Sequence, residues 1–253
     1  MRGRLHVPIL LLALFASSLV ADDAITVAVA SNFATTAREL GDHFTRQSAV
    51  PVRLSYGSTG KLYAQIVNGA PFDVFLAADA ERPRLLEKSG HSVAGTRFTY
   101  ATGSLVLWSA DASLSGQDCR EVLLRGDFRY LALANPATAP YGRAARDVLT
   151  HLQLWDSTYQ RIVFGENIAQ ALQFTATGNA TLGFVARSQT LRAVLPPATC
   201  SWRVPELMHA PIEQQLVLLG RAAGNTGARQ FIEFMRSPAA QEIIIAQGYG
   251  APR

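Results

Sequence analysis

Histidine, cysteine and charged residues are all scarce in this 253-residue chain, and each scarcity removes a class of function. Only 17% of the residues are charged while 49% are hydrophobic, a balance that allows a substantial core and excludes a disordered chain. The 23 basic and 19 acidic residues form no basic tract and no aromatic-basic face, which argues against nucleic acid as a partner. The five histidines, His6, His43, His91, His151 and His209, are scattered with no pair at metal-ligand spacing, so each reads as structural or solvated. No Gly-x-Ser-x-Gly elbow is present, and neither Cys119 nor Cys200 sits in a catalytic motif. Gly60-Lys61 looks like the end of a phosphate-binding P-loop, but Ser55 stands where its first glycine is required and Leu62 where a magnesium-binding Ser or Thr should follow. Asp73, Asp79 and Glu166 border strands, turns and helices, where turn and cap roles explain them.

A membrane-spanning run is missing as well. Val7 to Val20 is apolar, but about 14 residues fall short of the roughly 20 that cross a bilayer. Arg2 and Arg4 precede it and Ser17, Ser18 and Ala21 close it, so residues 1–21 read as a secretory signal peptide and the mature chain, near +2, as a periplasmic protein. In an exported chain a disulfide between the two cysteines is allowed, although their wide separation in sequence leaves their proximity open.

What the chain does contain is concentrated between Val52 and Leu62, Val-Arg-Leu-Ser-Tyr-Gly-Ser-Thr-Gly-Lys-Leu. Val52, Leu54 and Tyr56 alternate as in a strand, small residues make a tight turn from Gly57 to Gly60, and a helix is expected from about Lys61. Free backbone N–H groups and the hydroxyls of Ser58 and Thr59 would therefore meet at the positive end of a helix dipole, which is an anion site. Read alone, the two hydroxyls also fit ordinary helix caps.

The rest of the chain repeats this arrangement. Ile25 to Ala30 is a short buried strand, and Ser31-Asn32 stands before a helix with Phe33, Ala37, Leu40 and Phe44 on one face. Val74 to Ala77 forms a third strand, followed by a charged helix through Lys88. Three βα units in succession predict a parallel, doubly wound sheet. Near Gly103-Ser104 the pattern shifts, which marks a crossing between domains. A second α/β run follows: a short helix from Cys119, a strand at 130–134, the loop Asn135 to Gly142 with Tyr141 at or just before the first turn of a helix, a strand at 161–164, a helix from Ile168, a strand at 181–185 and a loop-like stretch from Leu191 to Pro205. A strand at 215–219 and two closing helices end the chain.

Four strand-to-helix junctions thus look alike: Ser31-Asn32, Ser58-Thr59, Pro140-Tyr141 and Asn167-Ile168. In doubly wound sheets such junctions gather at the carboxyl ends of the strands, where ligands bind. With two junctions in each half, a cleft between two lobes can close several helix N-termini around one small anion.

At this point the motifs are familiar. Val27-Ala-Val-Ala-Ser31-Asn32-Phe, Gly57-Ser-Thr-Gly-Lys-Leu62, Gly69-Ala-Pro-Phe-Asp-Val-Phe-Leu-Ala-Ala-Asp79 and Gly165-Glu-Asn-Ile168 match, in order and spacing, those of the periplasmic molybdate-binding proteins of ABC importers, which the chain resembles over essentially its whole mature length. The resemblance implies a type II periplasmic-binding-protein fold of the α/β class, two lobes each with a doubly wound mixed sheet flanked by helices, here 22–102 with 211–253 and 103–210. It implies an oxyanion ligand, molybdate with tungstate as well, held in the hinge cleft by Ser31, Asn32, Ser58, Thr59, Tyr141 and the backbone N–H of Ile168. No cofactor, no catalysis and no direct metal-cation ligand is implied; the partners would be an inner-membrane permease with its ATPase, and the receptor itself a monomer. The departure is a tyrosine. Many members place a ligand tyrosine after the Leu-Gly-aliphatic-Val strand, where Ala186 stands here; another branch carries it in a Pro-Tyr-Gly loop, and Tyr141 fits that one. A receptor for sulfate, another tetrahedral oxyanion or an iron complex is the alternative within the binding class.

Overall fold

The apolar runs form two five-stranded sheets in the computed structural model, which describes residues 24–191 and 194–252; the expected signal peptide lies outside them. In chain order the elements are β1 (Ile25–Ala30), α1 (Ala34–Ser48), β2 (Val52–Gly57), α2 (Thr59–Val67), β3 (Val74–Leu76), α3 (Glu81–Lys88), β4 (Phe98–Gly103), β5 (Leu105–Ser109), α4 (Cys119–Arg125), β6 (Leu131–Ala134), α5 (Pro140–His151), α6 (Trp155–Thr158), β7 (Ile162–Gly165), α7 (Ile168–Ala176), β8 (Leu182–Ala186), α8 (Arg187–Thr190), β9 (Cys200–Arg203), β10 (Ile212–Leu218), α9 (Thr226–Arg236) and α10 (Pro238–Ala246). The first sheet has the order β2-β1-β3-β10-β4 and the second β7-β6-β8-β5-β9.

Each sheet is parallel where βα units build it and antiparallel where the chain changes sheets. β1 runs parallel to β2 and β3, and β10 antiparallel to β3 and β4; β6 runs parallel to β7 and β8, and β5 antiparallel to β8 and β9. The chain crosses between sheets twice, from β4 to β5 through Ser104 and from β9 to β10. The mixed, two-sheet α/β architecture is the one that the type II periplasmic-binding resemblance implies.

Both faces of the first sheet are covered, which is why β1 and β3 read as continuous apolar runs rather than alternating ones. On one face Ile25, Val27, Val29, Val74 and Leu76 pack with Phe33, Leu40 and Phe44 of the α1 segment and with Phe231 and Met235 of α9. Ala28, Phe75 and Val217 face the other way, against Leu62 and Ile66 of α2 and Leu86 of α3. Phe44 meets Phe231 edge to face with centroids 5.2 Å apart. Full burial of each such ring contributes about 1.5–3 kcal/mol, and α1 exists largely because its 3.6-residue spacing delivers these side chains to one stripe. The second sheet has its own core, with Leu105, Leu107, Leu131, Leu133 and Phe184 against Val122, Ala145, Leu149 and Ala171 of the flanking helices.

Two expectations need correction. The stretch from Leu191 to Pro205, read as a loop, contains β9, an edge strand that pairs antiparallel with β5 from Val106↔Arg203 to Ser109↔Cys200. β9 is only four residues, Cys-Ser-Trp-Arg, and largely exposed, so it carries little apolar pattern, and Pro196-Pro197 nearby reads as loop. The strand is also fastened covalently: Cys119, at the first position of α4, is disulfide-bonded to Cys200, the first residue of β9, with Cα atoms 5.4 Å apart. The helix expected after the loop Asn135 to Gly142 also begins earlier, at Pro140, because proline at the first helical position has its φ preset and needs no N–H partner.

Candidate functional site

The carboxyl ends of β1, β2 and β3 from one sheet and of β6 and β7 from the other converge on one small cavity. It is lined by Ala30, Ser31, Asn32, Gly57, Ser58, Thr59, Ala78, Ala139, Pro140, Tyr141 and Ile168. All six residues singled out from sequence are therefore brought together. The cavity is small: the space between its walls, counting what opens to solvent, is ≈ 190 Å³. None of the lining residues carries a formal charge.

Three of the four helix starts that reach this cavity lack a side-chain cap. The 3-10 turn Ser31–Phe33 that leads into α1, α2 and α5 all begin with no side-chain cap hydrogen bond. Ser58 occupies the cap position of α2 in extended geometry, φ −72° and ψ 146°, yet its hydroxyl is buried with no hydrogen-bond partner. The ordinary explanation for a serine at that position, that it caps its helix, does not hold here. A buried hydroxyl without a partner is costly unless a ligand supplies one. Thr59 differs: its Oγ1 accepts the Ala78 N–H at 3.1 Å, leaving its own proton available. At α7 the Asn167 side chain accepts the N–H groups of Ala169 and Gln170 at 3.0 and 3.2 Å, so the cap leaves the Ile168 N–H uncommitted.

Asn32 and Tyr141 are held from behind by a buried polar network. Asn32 Nδ2 donates to Gln214 Oε1 at 2.8 Å and to the Tyr249 hydroxyl at 3.3 Å, and Tyr249 donates to the Asn32 carbonyl at 2.7 Å. Gln214 Nε2 in turn donates to the Tyr141 hydroxyl at 3.4 Å. The Asn32 side-chain protons are thus committed to protein acceptors, and its contribution at the cavity is through its backbone. Burial pushes the phenols of Tyr100 and Tyr141 well above their ordinary pKa and that of Tyr249 up to about 12, so all three remain neutral at physiological pH. Ala186 ends β8, fully buried, and does not line the cavity.

Outside the cavity the two halves meet through polar contacts. Gly60 N–H donates to the Thr138 carbonyl at 2.8 Å, Lys61 pairs with Glu166 at 2.8 Å, and Arg143 pairs with Glu81 at 2.8 Å. Glu166, expected to be a solvent-facing cap, does face solvent but pairs with Lys61 while Asn167 caps α7. Asp79 does act locally, accepting the Arg82 backbone N–H and pairing with its guanidinium, and Asp73 accepts the Thr26 N–H at 2.7 Å. Sequence reasoning missed Gln214, Tyr100 and Tyr249, the buried supports; the glutamine pair Gln214-Gln215 leading into the apolar run Leu216-Val-Leu218 was the signal available. Among the described residues no cluster of His, Cys, Asp or Glu is arranged to hold a metal ion, and no helix is long and apolar enough to cross a membrane.

Comparison with known proteins agrees with this fold. The molybdate-binding protein ModA of Azotobacter vinelandii is 46% identical over 226 residues, covering 89% of each chain, and that of Rhodobacter capsulatus is 42% identical, covering 89% of this chain and 87% of the other. The solved structure of the Azotobacter vinelandii periplasmic molybdate-binding protein superposes with a TM-score of 0.85 at 42% identity, over 90% of this chain and 100% of that one. The profile of the bacterial extracellular solute-binding proteins matches residues 25–250, and the chain belongs to that family.

Proposed function

We propose that this chain is the extracytoplasmic receptor that captures molybdate, and tungstate as well, in the cavity between its two sheets and delivers it to an ABC importer. It is a binding protein and not an enzyme. The observation that carries the reading is the uncharged, donor-lined cavity with the unpartnered Ser58 hydroxyl in its wall. Ser31, Asn32, Ser58, Thr59, Tyr141 and Ile168 are its proposed ligands, through hydroxyls and backbone N–H groups. Residues 22–102 with 211–253 and 103–210 are the two lobes, joined by the crossings at Ser104 and after β9, and closure over the anion is a hinge motion favoured because both lobes contact the ligand. The receptor acts as a periplasmic monomer after loss of its leader.

A wall of donors selects by protonation state. A fully deprotonated dianion can accept at every oxygen, whereas a protonated oxygen, as in hydrogen phosphate, would find no carboxylate to receive its proton and would be left unpaired. An iron complex fits poorly for the same reason, since the lining offers no carboxylate. Sulfate has the right charge and is smaller than molybdate, so cavity size must separate them.

The test is a thermal-shift panel of molybdate, tungstate, sulfate, phosphate and chromate on the mature protein. Specific binding raises the melting temperature in proportion to the logarithm of ligand concentration above Kd. Molybdate and tungstate should give the largest shifts; a larger shift with sulfate or phosphate would overturn the assignment. Tyr141→Phe removes one hydrogen bond to a charged oxygen, about 1.5–3 kcal/mol, and should lower affinity roughly 10- to 150-fold.

A further inference from the structure

The buried network behind the cavity has a direction, and that direction bears on selectivity. Tyr249 has one hydroxyl proton and commits it to the Asn32 carbonyl at 2.7 Å. Towards the Asn32 side chain, 3.3 Å away, Tyr249 can therefore only accept, which places the amide nitrogen of Asn32 there. The same nitrogen lies 2.8 Å from Gln214, so the atom of Gln214 that faces it is the carbonyl oxygen. Tyr100 has a single hydroxyl proton placed between that oxygen at 3.3 Å and the Ala77 carbonyl at 3.1 Å, so the orientation of Gln214 rests on the Asn32 amide. The amide nitrogen of Gln214 must then point the other way, to the Tyr141 hydroxyl at 3.4 Å. Tyr141 receives a hydrogen bond from Gln214, and among the described residues its own proton has no acceptor.

We propose that Gln214 is a positioning residue that fixes the Tyr141 hydroxyl as a donor towards the cavity and thereby enforces the preference for oxyanions without a proton. This deepens the binding-site reading above and rests on it. Gln214 is fully buried and sits on β10 where the pairing with β4 shifts register between Gln214 and Gln215, a bulge of the kind that re-aims a side chain out of the regular alternation. It links Asn32 of one sheet's junction to Tyr141 of the other's. An apolar residue here would leave the phenol free to rotate, and a carboxylate would take the Tyr141 proton and turn a lone pair towards the ligand.

The experiment compares sulfate and hydrogen phosphate at pH 8, dianions of equal charge that differ by one proton, with molybdate as the reference. Sodium salts of all three are titrated calorimetrically into the mature protein and into Gln214→Glu, Tyr141→Phe, their double variant and Tyr249→Phe, which removes the hydroxyl at the head of the chain of donors and keeps the ring. Gln214→Glu should weaken molybdate at least tenfold and narrow the phosphate-to-sulfate Kd ratio at least fivefold, and the narrowing should vanish in the double variant because the phenol through which it acts is gone. Tyr249→Phe should narrow the same ratio about twofold, and it decides the matter if Gln214→Glu does not fold. A ratio unchanged in every folded variant of Gln214 and Tyr249, while Tyr141→Phe loses molybdate affinity, would overturn the role of Gln214 and leave the site reading standing. Unchanged molybdate affinity in Tyr141→Phe would instead overturn the site reading itself.

Discussion

Lys61 Nζ and Glu166 Oε1 stand 2.8 Å apart, one in the first turn of α2 and the other in the turn before α7, so that the pair ties the two halves of the molecule together beside junctions that line the cavity. Arg143 and Glu81 make a second such tie at 2.8 Å, and the Arg143 guanidinium holds the Glu81 carboxyl below its usual range. That contact is therefore present above the ordinary carboxylate pKa and lost only as pH falls through the lowered one. Both members of the first pair are about half exposed, and exposed pairs contribute about 0.2–1 kcal/mol. The charge-neutral double variant Lys61→Met/Glu166→Met should lower oxyanion affinity by up to about fivefold. The loss should disappear near 1 M salt, where the screening length is about 3 Å. Calorimetry at low and high salt reads it; a loss that persists at high salt would mean the pair acts through packing rather than charge.

Ser58 and Thr59 are neighbours with opposite predicted phenotypes. Ser58→Ala removes a buried hydroxyl that has no protein partner, so the melting temperature should hold or rise while oxyanion affinity falls about 10- to 150-fold. Thr59→Val orphans the Ala78 N–H and should destabilise the fold by about 1–3 kcal/mol. If Ser58 were an ordinary cap, Ser58→Ala would instead lower stability by about 0.5–2 kcal/mol, which denaturant titration separates from the outcome expected here.

These two residues also show where the sequence was legible. The strand-turn-helix pattern at Val52 to Leu62 located the junction, and the four junctions together located the cavity, because apolar runs and small polar residues at helix starts are local features. Whether Ser58 capped its helix was not legible, since capping and ligand binding use the same residue type at the same position, and only the neighbouring geometry separates them. Gln214, Tyr100 and Tyr249 escaped because their roles depend on three long-range approaches, across 182 positions for Asn32 with Gln214, 217 for Asn32 with Tyr249 and 114 for Tyr100 with Gln214. β9 escaped because an edge strand held by a disulfide needs little apolar pattern of its own.

The Cys119–Cys200 bond fixes β9 at the edge of the second sheet opposite β7, away from the cavity. The loop it closes is long, so its loss should cost about 2–4 kcal/mol of stability, while oxyanion affinity in Cys119→Ala/Cys200→Ala should stay within about twofold of the parent at a temperature where both are folded. Mass spectrometry of the non-reduced protein should find two hydrogens fewer than in the reduced chain. Rapid alkylation of both thiols without denaturant or reductant would contradict the bond.

The pH response should divide at the phenols. No histidine or carboxylate lines the cavity, and the one titratable side chain that does, Tyr141, has its pKa raised by burial, so affinity should be nearly flat from about pH 6 to 9. Stability behaves differently at the alkaline end. Tyr100, Tyr141 and Tyr249 are all raised in the folded protein, whereas in the unfolded chain they ionise near about 10. Below that value both states hold the same protons and the contribution is fully present. Above it the unfolded state sheds protons that the folded state keeps, so unfolding becomes more favourable as pH rises, by up to about 1.4 kcal/mol per pH unit for each phenol. The decline should continue until the folded phenols also ionise, for Tyr249 at about 12. Tyr249→Phe removes one of the three groups and should make the fall in melting temperature above pH 10 about one third shallower than in the parent. An equal slope in the two proteins would mean that the Tyr249 hydroxyl is not the buried, neutral group that the Asn32 contacts require.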